Sequence, residues 1–566
     1  MKSKTIVLLT IIVFVAIGLG IFWKFHRNTK SDQLSLLNAE SSYLSTLGDL
    51  LQKHPQPEAD ANASVFLSTA SLNSVLAGTD NLPVELPHSS KLSLKILALR
   101  TAFKDGFPEV IGDIQITREQ PDAQLDAKLH AALEPRVDKS NPTALLLYIH
   151  PLSIDADVRL LGGSALSSKE LNQLLGDVLT RYAASMPHIT IPLSHDISIA
   201  FPAAQIPIAV PTQHGKLNGE LDVPGLSTTT SVLVTGVFFL SDGIHVLLGI
   251  GDPDKIALPY KIDSGESSSA AGGDLDSAIR AKTAQIETLR ASLQQKVLPL
   301  KVDGADFRVW ISKSLLSQVT NTFNALSPSS RTIHYHTLSE EGQIYQTGGG
   351  GLGCGGYANL VGGNSAQADL NVGNFTTGWS AQGLTASADF NFSFNAQVTG
   401  HVNGPAGPHA TWVLNCIHIG WPFNKDICTD LPSTTISCET PLGGGVGLGS
   451  YGIHGERTEK LTAGINLHSD ASNWLLYDVS VVAPDQIPLT IQVGLGQLGT
   501  AGFPISFPVP HQALLTGKAP TVFGQTGTFD IPHASPKHYT ITATPTGSSI
   551  SESGYAAVGK ITIAWN

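Results

Sequence analysis

Val65-Phe66-Leu67-Ser68-Thr69-Ala70-Ser71-Leu72-Asn73-Ser74-Val75 returns, in altered form, as Val309-Trp310-Ile311-Ser312-Lys313-Ser314-Leu315-Leu316-Ser317-Gln318-Val319. A shift of 244 positions superposes Val65 on Val309, Leu67 on Ile311, Ser68 on Ser312, Leu72 on Leu316 and Val75 on Val319. Each copy reads as a short apolar strand, a serine able to cap the helix that follows, and one turn or two of that helix. The far ends of the two copies also correspond. Ile191-Pro192-Leu193 opens a proline-spaced apolar stretch that reaches Pro211, and Ile487-Pro488-Leu489 opens one that reaches Pro510. A strand pair around a glycine turn follows each, at Asp242-Gly243 and at Ser553-Gly554. Matches at both ends in the same order predict a divergent internal duplication.

Between those ends the first copy reads mainly as strands. Lys91–Phe103 alternates apolar and polar residues, Asp105-Gly106 makes a turn, and Val110–Thr117 returns. Leu125, Leu129 and Leu133, then Leu145–Val158, continue the pattern. Ser167-Ser168-Lys169-Glu170 has the form of a capping box. It opens the longest amphipathic helix of the copy, with Leu171, Leu174, Leu175, Val178, Leu179 and Tyr182 on one broad apolar face, closed by Pro187. Strands follow over His188–Val210, Ser231–Leu240 and Ile244–Ile250.

The second copy carries an insertion, about 348–459, that is glycine-rich and strand-like. It holds all four cysteines, Cys354, Cys416, Cys428 and Cys438. An even, clustered set without Cys-x-x-Cys spacing predicts two disulfides formed in an oxidising compartment. Three pairings are open. The preferred one is nested, Cys416 with Cys428 and Cys354 with Cys438.

Upstream of the duplication, Thr5–Trp23 is apolar and free of charge. As a helix it spans about 28 Å, close to the roughly 30 Å hydrocarbon core of a bilayer. It is too long for a signal-peptide core and has no clear cleavage site, so it reads as an uncleaved anchor through residues 5–23. Basic residues flank it on both sides (Lys2 and Lys4; Lys24, Arg27 and Lys30), so charge does not orient it. The cysteines do: they place the body outside the cytoplasm, most simply in a bacterial periplasm beneath a single-pass inner-membrane anchor. Residues 33–53 read as a helix with Leu37, Leu44, Leu47 and Leu51 on one face, expected as a stalk or a helix near the membrane. The sequence thus divides into an anchor (1–30), a helical stalk (31–56), a first module (57–262), a linker and bridging helix (263–300) and a second module (301–566). The bridging helix runs over Asp274–Lys296, with Leu275, Ile279, Ile286, Leu289 and Leu293 along one side.

The order of short strand, small "Ser-x-x-x-Leu" helix, long strands, one long amphipathic helix and more strands, given twice, resembles the tubular lipid-binding (TULIP) superfamily of the bactericidal/permeability-increasing type. The match is one of order and pattern, best over 57–262, and the insertion has no counterpart in it. The resemblance implies an α+β, mostly β fold of two tandem modules. Each would wrap a highly twisted antiparallel sheet round a long helix and leave an apolar tunnel. Residues expected along the tunnels are Leu72, Leu76, Leu171, Leu174, Leu175, Val178, Leu179, Tyr182, Leu316 and Val319. The implied partner is lipid: a phospholipid, lipopolysaccharide, or a polycyclic hopanoid or sterol.

The chemistry of the remaining residues points away from catalysis. The 566 residues include 42% apolar but only 14% charged, against about 25% in an average domain. The net charge of −12 comes without a basic cluster beyond the N-terminus, which argues against nucleic acid. There is no Gly-x-Ser-x-Gly, His-Glu-x-x-His or Walker sequence. Gly351–Gly356 and Gly447–Gly452 match Gly-x-Gly-x-x-Gly but lack the following helix that a dinucleotide site needs. His334-Tyr335-His336 could chelate a metal from one strand face, yet no second ligand pair stands at metal-site spacing. No cofactor and no metal is expected. The reading is a non-enzymatic lipid-binding or lipid-transfer protein; the alternative is a non-enzymatic envelope scaffold with fully packed cores and an unknown protein partner.

Overall fold

The protein is described by a computed structural model covering residues 33–84, 92–157, 187–250, 275–338, 343–346, 355–360, 366–403, 410–412, 417–419, 425–427, 436–438, 446–519 and 526–566, with short gaps inside the longer stretches. The expected anchor Thr5–Trp23, the helix opened by Ser167–Glu170 and the linker 263–273 lie outside the described residues. Among those described, no helix is long and apolar enough to cross a membrane.

The fold is mostly β. Two large antiparallel sheets, of thirteen and fourteen strands, carry most of it, and both curl. One strand in from an edge of the first sheet stand four strands in the order Gly243–Gly249, Ala63–Ser68, Phe307–Ser312 and Gly554–Trp565. Ala63–Ser68 and Phe307–Ser312 are the two copies of the repeated strand, and they pair directly with each other. On one side the sheet ends at Leu233–Leu240. On the other it runs through Lys537–Ile550, Thr526–Asp530, His188–Pro192, Asn141–Asp157, Asp122–Asp138, Glu109–Glu119 and Leu92–Thr101 to Leu82–Val84. The second sheet also mixes the halves: Gly215–Val223 pairs with Thr332–Thr337, and Asp196–Phe201 meets Ala513–Ala519. The two expected modules are therefore joined by backbone hydrogen bonds in both sheets.

Alternation sets the faces of the first sheet. On Glu109–Glu119, Val110, Ile114 and Ile116 are buried, while Asp113, Gln115 and Thr117 between them are partly exposed. On Leu92–Thr101 the buried set is Leu94, Ile96 and then Leu99. The change of parity has a local cause: the pairing slips between Ile96 and Ala98, and one extra residue turns the later side chains to the opposite face. The outer face carries cross-strand partners such as Asp113 opposite Lys128.

Curling brings the two ends of this sheet together. Leu233–Leu240 is buried along nearly its whole length although it is an edge strand. Phe239 O accepts a hydrogen bond from Gly106 N at 2.8 Å, in the turn that joins Leu92–Thr101 to Glu109–Glu119. Gly106 has φ +84°, a conformation that glycine adopts without a Cβ penalty.

Helix 33–53 forms as its leucine spacing predicts, but it is not a stalk. Leu44, Leu47 and Leu51 are buried in one cluster with Phe238, Leu240 and Leu247 of the sheet and with Ile286, Leu293, Val297 and Leu300. Tyr43 donates from its hydroxyl to Leu133 O at 2.6 Å and meets Phe107 edge-on, with ring centres 5.8 Å apart. An apolar stripe costs free energy in water, and the back face of the curled sheet offers it a partner. The bridging helix, Leu275–Val297, completes the same layer, and Arg290 pairs with Glu40 across it. In the insertion, strands form where glycine-rich loops could have stood. The motif Gly447–Gly452 lies inside the strand Val446–His468, at a pairing irregularity opposite Thr399 and His401.

Candidate functional site

The repeated strand–helix unit positions the first expected ligand residues. Ser68 Oγ caps the helix Thr69–Leu76 by accepting from Ser71 N at 3.2 Å. Asn73 Oδ1 then accepts from Thr101 N at 2.7 Å and from Thr101 Oγ1 at 3.0 Å, which fastens the helix to the strand Leu92–Thr101. Held in this way, Leu72 and Leu76 are buried in one continuous cluster with Val65, Leu67, Leu94, Ile96 and Leu99. In the second copy Ser312 Oγ accepts from Leu315 N at 3.4 Å, and Leu315 is buried. Leu316 and Val319 lie on this helix, Lys313–Asn324, but their side chains are outside the described set. Leu171, Leu174, Leu175, Val178, Leu179 and Tyr182 lie outside the described residues, as do Cys354, Cys416 and Cys428. Cys438 ends the strand Ile436–Cys438 opposite Ala410.

What the fold does assemble from described residues is an apolar inner face on the first sheet. Leu94 and Ile96, Ile114 and Ile116, Leu133, and Leu145 and Leu147 come from four neighbouring strands and are all buried in the same cluster. The cluster continues into the second half through Trp474, Tyr477, Phe529, Tyr539 and Tyr555. Burial pushes the Tyr539 phenol up beyond the usual tyrosine range. Its hydroxyl donates to Thr190 O at 2.8 Å, which ties the last strands to His188–Pro192.

A polar constellation that the sequence reading missed lies on the opposite face of the strands Gly243–Gly249, Ala63–Ser68 and Phe307–Ser312. His245 is fully buried, in a strand otherwise made of Gly, Ile, Val and Leu. Its ring stacks on Phe238 with centres 4.5 Å apart and lies 4.9 Å from the Phe66 ring. Nδ1 stands 3.2 Å from Glu58 Oε1, and Nε2 stands 3.5 Å from Asp242 Oδ1. The second distance is long for a hydrogen bond, so that contact is mainly an attraction between charges. Arg308, from the second copy, pairs with the same Glu58 oxygen. Asp242 Oδ2 accepts from Val302 N at 2.6 Å. Burial opposes charge on His245, but Asp242 and Glu58 outweigh it and raise the imidazole above its ordinary range. Burial likewise opposes the Glu58 charge; His245 and Arg308 outweigh it and hold that carboxyl below its ordinary range. Asp242 is depressed in the same manner, against burial, by His245 and the Val302 amide. A lone histidine in an apolar strand was the available sequence signal.

His334 and His336 are placed in a different setting. His334 Nδ1 lies 2.6 Å from Asp369 Oδ1, and His336 Nδ1 lies 3.2 Å from Asp222 Oδ2, both at the surface of the second sheet. Among the described residues no group of three or more His, Cys, Asp or Glu is arranged to hold a metal ion.

No protein-family model matches the chain, and no curated protein matches it. Among solved structures, one described as the structure of P47 from Clostridium botulinum A2 is similar at 12% identity, over 69% of this chain and 83% of that chain, with a TM-score of 0.23. A likeness that loose carries no statement about fold or role.

Proposed function

We propose that the protein is a non-enzymatic, membrane-anchored lipid-binding or lipid-transfer protein of the TULIP type, with its body in the bacterial periplasm. The observation that carries this reading is the apolar inner face of the curled first sheet, lined by Leu94, Ile96, Ile114, Ile116, Leu145 and Leu147. The sequence Leu171–Tyr182, which falls in the chain between Asn141–Asp157 and His188–Pro192, reads as a helix with a broad apolar stripe and is the expected partner of this inner face. An acyl tail between two such faces gains about 0.8 kcal/mol for each CH₂ it removes from water, so binding needs no charged contact. The mechanism is partition: the tail leaves a bilayer, is shielded during passage, and leaves again.

One observation favours a second reading, an envelope scaffold with filled cores: Leu72 and Leu76 belong to one unbroken cluster with the sheet. The two readings part on a single experiment. The full-length chain is purified from a bacterial host and its organic extract is weighed by mass spectrometry. One or two lipids per chain, reduced when Ile114→Trp or Ile116→Trp fills the inner face, support lipid binding. A lipid-free chain that takes up no offered phospholipid supports the scaffold.

A further inference from the structure

We propose that Glu58, Asp242, His245 and Arg308 form a proton-dependent latch, which holds the segment after helix 33–53 and the second-half strand Phe307–Ser312 onto the first-half hairpin. The four residues come from four parts of the chain. Glu58 lies in the short helix Pro57–Asp60, Asp242 in the turn before Gly243–Gly249, His245 in that strand, and Arg308 in Phe307–Ser312. Phe66 is the cross-strand neighbour of both His245 and Arg308, and Phe238 is that of His245, so one apolar row walls the charges in.

The arithmetic of charge makes the device. With His245 protonated, two cations meet two anions in a pocket where the imidazole is fully buried and the other three side chains are less than a fifth exposed. With His245 neutral, one negative charge is left over between Glu58 and Asp242. An unbalanced buried charge is costly, and the means of relief is for the pocket to open to water. Charged groups on neighbouring segments are paired with one another, Lys560 with Asp306 at 3.5 Å among them, and do not offset it. Lys301 is already engaged with Asp105 at 2.9 Å, and Asp60 pairs with His54 at 3.1 Å. Glu58 is the hinge of the effect, because it sits only a few residues beyond helix 33–53 and is the one group that both His245 and Arg308 hold.

The sign follows from the shifts. The raised His245 contributes stability that is full below about pH 6.5, its unfolded value, and is lost as pH rises through its higher folded value. The depressed Glu58 and Asp242 contribute stability that is present above about pH 4 and lost as pH falls through their lower folded values. The latch is therefore tightest in mildly acidic solution and loosens on the alkaline side.

The test is amide hydrogen exchange on the full-length chain at about pH 5.5 and about pH 8.5, corrected for the intrinsic pH dependence of exchange. We expect residues 54–68 and 243–249 to exchange severalfold faster at the higher pH, by a larger factor than residues 110–117. In His245→Gln that difference disappears, while residues 110–117 behave as in the wild type. Where His245→Gln does not fold, exchange of the His245 C2 proton in the unaltered chain reports its titration directly, and Glu58→Gln must lower that titration point. Equal protection of 54–68 at both pH values in the wild type, an unchanged pH response in His245→Gln, or a His245 titration point that Glu58→Gln leaves in place would each overturn the proposal.

Discussion

Val65 and Val309 stand directly opposite each other in the pair formed by Ala63–Ser68 and Phe307–Ser312. They are also the two residues that the 244-position shift of the sequence superposes. In an antiparallel pair, this is the relation that a local two-fold axis through the valines produces. The bonds around them obey it. Three residues out on one side Ser68 N donates to Asp306 O, and three out on the other Ser312 N donates to Asn62 O, both at 2.9 Å. Asn62 N donates to Leu248 O at 3.0 Å, and its counterpart Asp306 N donates to Gly559 O at 3.2 Å. Thr69 N donates to Asp242 O, and Lys313 N to Ser553 O.

A pair on such an axis is expected to respond evenly. Val65→Ala and Val309→Ala each remove buried methyl groups from one core, at about 1–2.5 kcal/mol apiece. Because the side chains are cross-strand neighbours, the double variant departs from the sum by about 0.5 kcal/mol or more. Urea denaturation of the two single variants and the double variant checks this. A loss at Val65 with none at Val309 would show that the second copy does not share the first copy's packing.

The glycines after the two turns give a sharper expectation. A Cβ at Gly243 would come within 2.0 Å of Leu67 O, and one at Gly554 within 2.3 Å of Ile311 O. The next obstacles also correspond, the Phe66 ring at 2.8 Å and the Trp310 ring at 2.7 Å. A backbone carbonyl in the middle of a sheet cannot move aside as a side-chain tip can. Gly243→Ala and Gly554→Ala should each cost about 3 kcal/mol or more. Gly373→Ala, whose added Cβ meets nothing nearer than 3.8 Å, should cost under about 1 kcal/mol. Denaturation midpoints of the three variants compare them.

Helix 33–53 is expected to behave as a layer of the body. Leu44→Ala, at a fully buried position, should destabilise the whole chain by about 2–4 kcal/mol. Tyr43→Phe keeps the ring packed against Phe107 but leaves Leu133 O without its donor, at about 1–2 kcal/mol. Thermal unfolding followed by tryptophan fluorescence reads both, since none of the tryptophans lies in the helix. A Leu44→Ala variant with unchanged stability would mean that the helix stands apart after all.

Local pattern made the repeated unit legible: alternation marked Ala63–Ser68, and Ser68 and Ser312 announced the helices they cap, because strand period and capping act over a few residues. The leucine stripe of 33–53 and that of the bridging helix were legible for the same reason. Their destination was not, since a stripe records that a partner is needed and leaves the partner unnamed. The pairing of the two repeats across Val65 and Val309 was hidden because strand partners distant in the chain are chosen by the whole sheet. The buried charges were hidden too. His245, Glu58 and Arg308 are far apart in sequence and unremarkable one by one; only curling of the sheet, which walls them between Phe66 and Phe238 away from water, turns three ordinary side chains into a coupled group. The sequence by itself determined which segments become strands and helices, because those preferences are local. The tertiary structure alone decided which faces meet and which charges lose their solvent, because burial belongs to the assembled chain.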